Sequence, residues 1–129
     1  MLFNKFEDKT YSAFSAANDT QVLAIDIKVT SGQTFVLSHF ANFVDDAAAW
    51  GAILWEIYVD GVPVRDFSAI YDQLGAVNLP RELPFGLITA QRDLKIYITN
   101  KTLYTDGVTA NGSTFKPGVS IKGAYVTND

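Results

Sequence analysis

His39 is the only histidine in the chain, and Ser38 stands beside it. A serine and a histidine within hydrogen-bond reach are the minimal nucleophile and base of acyl transfer. Neighbours in a strand point to opposite faces, so a strand holding this pair is expected to keep the two side chains apart. A serine from elsewhere would then have to reach His39. The simpler role is a surface or hydrogen-bonded histidine. One histidine also falls short of the several histidines plus a glutamate that a cupin-type metal site uses. With no cysteine in the chain, a thiol nucleophile, cysteine-ligated zinc and a disulfide framework are excluded.

Paired carboxylates are the other route to hydrolysis, as acid and nucleophile of a glycosidase. Asp19, Asp45, Asp46, Asp60, Asp93 and Asp106 read instead as turn residues, whose side chains bond nearby backbone N–H groups. Glu56 differs, lying mid-strand beside Tyr58. On the outer face of a central strand it is expected to be solvated or at an interface. No acidic spacing specifies a calcium loop. The glycines form no phosphate-binding fingerprint. The expectation is therefore a protein that is not an enzyme, with no catalytic, cofactor or metal residues. A small hydrolase built on loop aspartates and His39 is the reading that this sets aside.

What remains is aromatic. The chain holds nine phenylalanines, six tyrosines and two tryptophans. Tyr58 and Tyr97 fall at outward positions of their strands, and Trp50 at a strand start. Such residues serve sugar stacking and subunit contacts equally. Leu2, Phe3 and Phe6 make the first nine residues an apolar arm that docks on its own domain or on a neighbour. With Leu54, these seven residues are the candidate interface or ligand contacts.

The elements that must position them read as strands. The stretch Trp50–Val64, WGAILWEIYVDGVPV, alternates with a period of two. Ile53, Trp55, Ile57 and Val59 are expected in the core, and Leu54, Glu56 and Tyr58 outside. Asp60-Gly61 predicts a tight hairpin, because a type I′ turn needs positive φ at both central positions. Pro63 has no N–H to donate, so the return strand should be short or at an edge. Gln21–Thr30 places Leu23, Ile25, Ile27 and Val29 inward, and Leu94–Thr99 does the same with Leu94, Ile96 and Ile98. Thr34–Val44 is apolar on both faces, with Phe35, Leu37, Ala41 and Phe43 beside His39 and with Val36, Phe40 and Val44 opposite.

Val119–Val126 closes the sheet on Val119, Ile121 and Tyr125. Tyr11–Ala17 is a weaker strand candidate, Ser68–Gly75 an irregular excursion, Val77–Gly86 a crossover between sheets, and Leu87–Ala90 a short strand. Asn100–Lys116 reads as a long exposed loop, with room for a short strand around Leu103–Tyr104. Seven to nine short strands with regular turns and no long helix predict an antiparallel β-sandwich or barrel. The chain of 129 residues is expected to form an arm over 1–9 and one domain over 10–129.

Ten basic residues against fourteen acidic ones give a net charge of −4, and the cations are scattered singly. That argues against nucleic acid as a partner. No apolar run reaches the roughly 20 residues of a spanning helix, which argues against a membrane-spanning helix. The first residues, MLFNKFEDKT, lack the apolar core of a secretory signal.

The run WGAILWEIYVDGVPV, then IYDQLG at Ile70–Gly75, Leu83-Pro84, IYITN at Ile96–Asn100 and VSIKGAY at Val119–Tyr125, resembles small jelly-roll proteins of tailed-phage virions. The likeness spans Thr34–Val126. Ala124 interrupts the Gly-Tyr pair that usually closes the pattern. The resemblance implies an eight-stranded jelly-roll sandwich with two Greek keys. It implies a non-enzymatic head-decoration (cement) or head-fibre protein of the virion, assembled in the host cytoplasm. A homotrimer bound to a major capsid or other virion protein is expected. A carbohydrate-binding or host-adhesion module on a fibre or tail, with a glycan as partner, is the alternative.

Overall fold

A computed structural model describes residues 2–11, 21–44, 50–51, 53–67, 70–76, 78–100, 102–105, 108–111 and 116–128. They form eleven strands: β1 Leu2–Tyr11, β2 Gln21–Lys28, β3 Gln33–Phe43, β4 Ile53–Val59, β5 Val62–Pro63, β6 Arg81–Glu82, β7 Thr89–Ala90, β8 Asp93–Asn100, β9 Thr102–Thr105, β10 Val108–Asn111 and β11 Gly118–Thr127. A 3₁₀ turn, Arg65–Phe67, follows β5. The first sheet runs β1-β11-β3-β6, with β7 also on β3, and the second runs β2-β8-β4-β5. All pairings are antiparallel. The chain thus passes from sheet to sheet in the strand order of a jelly roll. The sandwich expected from the sequence is the fold observed.

The core lies between the two inner faces. Ile53, Trp55, Ile57, Leu94, Ile96, Phe35, Leu37 and Phe40 are buried there. The Trp55 indole N–H donates to the Gly118 carbonyl at 3.1 Å, tying the second sheet to the first. Phe35 meets Tyr125 edge to face, with centroids 5.2 Å apart. Asp60 has φ 52° and Gly61 φ 84°, so the hairpin turn has the two positive angles that the dipeptide predicted. β5 stops after Pro63, and Ile70 then takes its place beside Trp55 through two backbone hydrogen bonds of 2.9 and 3.0 Å.

Two bulges correct the facing that strict alternation predicts. In β2 the register steps from Leu23 opposite Tyr97 to Ile25 opposite Ile96, leaving Ala24 as the extra residue. Leu23 is therefore on the outer face and 41% exposed, not in the core. In β3 the register steps from Leu37 opposite Gly123 to His39 opposite Lys122, leaving Ser38 over. Phe40 then joins Phe35 and Leu37 in the core, and Ala41 moves to the other face. An extra residue shifts a period of two by one position, so every side chain beyond it changes face.

β1 Leu2–Tyr11, which takes in most of the stretch expected as an arm over 1–9, runs antiparallel to β11 along its whole length. Within Asn100–Lys116, read as a loop, β9 Thr102–Thr105 pairs antiparallel with β10 Val108–Asn111. The side chains of Leu2, Phe3 and Phe6, most of the Tyr11–Ala17 strand candidate, and Asp19, Asp45, Asp46 and Asp106 lie outside the described residues.

Candidate functional site

β4 and β8, the two central strands of the second sheet, turn Leu54, Glu56, Tyr58, Lys95, Tyr97 and Thr99 to its outer face. Register places Leu54 opposite Thr99, Glu56 opposite Tyr97 and Tyr58 opposite Lys95. On the other side of β8, Gln21, Leu23 and Asp26 stand opposite Thr99, Tyr97 and Lys95. The face therefore has three rows. Leu54 and Thr99 form a buried end, at 8% and 5% exposure. Leu54 was expected outside, and it does lie on the outer face, but it is not open to contact in the isolated chain.

The middle of the face is half-buried and carries its chemistry. The rings of Tyr58 and Tyr97 meet edge to face, centroids 5.2 Å apart and planes at 80°. The Gln21 amide donates to Glu56 Oε1 at 3.5 Å, a long and weak bond. The negative charge of Glu56 raises the pKa of the Tyr58 hydroxyl above its ordinary value. Partial desolvation, Tyr97 and a hydrogen bond with Glu56 push the same way. Two of the expected contacts, Tyr58 and Tyr97, are thus brought together. Trp50 is not with them. It is half-buried against the core, its ring 5.5 Å from that of Trp55. Glu56 and Gln21 complete the set. Glu56 was legible from its outward phase on β4, whereas Gln21 shares the phase of Leu23 and reaches this face only through the bulge at Ala24.

Ser38 and His39 do not stand apart as alternation predicts. The bulge at Ser38 brings its Oγ to 2.9 Å from His39 Nδ1. Ser38 Oγ also donates to the Lys122 carbonyl at 3.0 Å. A hydroxyl has one proton, and here it is committed to a carbonyl. With that proton committed, the tautomer of His39 that fits the contact carries its proton on Nδ1 and donates to Oγ. That is the reverse of the proton flow in a serine–histidine pair, where the imidazole accepts from the nucleophile. The contact is a clamp on the bulge.

Asp60 and Asn42 are also fully engaged. Asp60 caps the Gln91–Asp93 turn through backbone N–H groups. Asn42, with no solvent exposure, receives the Leu74 N–H at 2.7 Å and donates to the Asp72 carbonyl at 3.0 Å. A shallow polar cleft lined by Lys28, Thr30, Gln33 and Tyr125 lies at one end of the sandwich. Among the described residues no group of three or more His, Asp or Glu side chains is placed to hold a metal ion. No protein-family model matches the chain, and no curated protein matches it.

Proposed function

We propose that this chain is a non-enzymatic structural protein of a phage virion, a decoration subunit that stabilises the head as a homotrimer. The observation that carries the reading is the strand order, β1-β11-β3-β6 over β2-β8-β4-β5. It is the fold that the resemblance over Thr34–Val126 implies. A sandwich filled by large side chains such as Trp55, Phe35 and Phe40 is a rigid block, suited to presenting faces to neighbours. The reading is tested by light scattering after size exclusion, and by adding the purified protein to undecorated capsids. A trimer that binds capsids and raises their melting temperature is expected. A strict monomer without capsid affinity would sink the proposal.

A second reading is a carbohydrate-binding or adhesion module on a fibre or tail. The outer face with Tyr58, Tyr97, Gln21 and Glu56 favours it, since aromatic rings beside amide and carboxylate groups suit sugars. A glycan array decides here. Hits lost in Tyr97→Ala would support this reading, and an array without hits would remove it. Trp50 is not part of this face, because it packs on Trp55.

A further inference from the structure

The middle of the outer face has a sign as well as a shape. Glu56 lies directly across from Tyr97, and Tyr58 follows it by two residues on the same side of β4. The two rings stand at 80° to one another, so they form a corner and not a flat platform. The faces of aromatic rings carry negative potential. The Glu56 carboxylate, on the same face of the sheet, adds a full charge. Among the described residues Glu56 has no ion pair. There it accepts the long hydrogen bond from the Gln21 amide, and its charge acts on the Tyr58 hydroxyl. The nearest cation in the register is Lys95, one row on, which faces both Tyr58 and Asp26. Leu23, 41% exposed, extends the apolar wall beside Tyr97.

Two perpendicular rings, an apolar wall and a carboxylate with no ion pair among the described residues are complementary to a small organic cation. An anion would meet like charge. A neutral ring would find no shared stacking plane. We propose that the corner of Tyr58, Tyr97 and Glu56 binds an alkylammonium group, either quaternary or a protonated amine, carried on a small molecule. This inference goes beyond the virion reading and does not rest on it. The raised pKa of Tyr58 supports the geometry, because the Glu56 charge already acts at the phenol.

The test is a titration of the ¹⁵N-labelled full chain with choline, followed by amide shifts. Its neutral isostere, 3,3-dimethylbutan-1-ol, is run in parallel. Saturable shifts centred on Glu56, Tyr58 and Tyr97 are expected. The isostere should bind roughly tenfold more weakly, since the cation–π and charge terms are lost. Glu56→Gln and Tyr97→Leu should each weaken choline about tenfold while amide shifts away from the face stay in place. Glu56→Gln should also lower the Tyr58 pKa, read by ultraviolet titration. Shifts that do not saturate, an isostere that binds as well as choline, or variants that bind like the parent would overturn the proposal. So would variants that change the oligomeric state while choline leaves their binding unaltered, because the corner would then be a subunit contact.

Discussion

The carboxylate of Asp60 lies 2.7 Å from the backbone N–H of Arg92, and the Arg92 guanidinium returns to the Asp60 carbonyl at 2.9 Å. The hairpin turn after β4 is thereby latched to the turn before β8. The Gln91 and Asp93 N–H groups donate to the same carboxylate at 3.2 and 3.1 Å. Val29 joins from the end of β2, donating to the Arg92 carbonyl at 2.9 Å. Three connections at one end of the sandwich share one hub.

That hub sets a pH dependence. Desolvation pushes the Asp60 carboxyl up, but the three backbone donors and the Arg92 charge outweigh it, so its pKa is lowered overall. A lowered folded pKa contributes stability above the ordinary aspartate range. The contribution is lost as pH falls through the folded value. Asp60→Ala should cost about 2 kcal/mol at neutral pH, from hydrogen bonds to a charged acceptor plus strain at positive φ. Asp60→Asn tolerates that φ and should cost less. Melting curves from pH 7 down to about 2 should show the gap between the parent and both variants narrowing in acid, with Asp60→Ala keeping the part due to backbone strain. A constant gap across that range would rule out the linkage.

Asn42 is a buried polar side chain with both ends occupied by backbone groups of the Asp72–Leu74 excursion. Asn42→Ala should destabilise by about 2–3 kcal/mol, because the Leu74 N–H and Asp72 carbonyl lose partners out of water. Chemical denaturation measures this directly. Hydrogen exchange should show the Leu74 amide losing protection ahead of the β3 amides.

Gly123 faces the Phe35 ring across the β3–β11 pair. A Cβ there would overlap the ring and stand 2.6 Å from the Val36 carbonyl oxygen. The ring could swing, but the backbone oxygen could not without shifting the ladder. Gly123→Ala should therefore cost about 1–3 kcal/mol in thermal unfolding. Trimming the ring with Phe35→Leu should recover only part of the loss.

Ser38 and His39 predict a tautomer. With the serine proton given to the Lys122 carbonyl, neutral His39 should carry its proton on Nδ1. The ¹⁵N shifts of the imidazole distinguish the two forms. Nε2 protonation would show the serine donating to the ring, and would reopen a nucleophile–base pair.

The sequence by itself determined the class of the fold and the central strands. The alternation of Ile53, Trp55, Ile57 and of Leu94, Ile96, Ile98 needs a half-buried strand, and both sets are buried. Asp60-Gly61 specified its turn through positive φ. Each of these is a local property, carried by a period of two or by one backbone angle. Only the tertiary structure decided what depends on pairing across the sheet. Bulges at Ala24 and Ser38 arise where two strands of unequal local length are matched. No single strand records them, so Leu23, Phe40 and the Ser38–His39 contact could not be placed from alternation. The Tyr58–Tyr97–Glu56 corner has the same origin. Tyr97 lies about 40 positions from Glu56 and Tyr58, and only the β4–β8 register sets it opposite Glu56 and beside Tyr58.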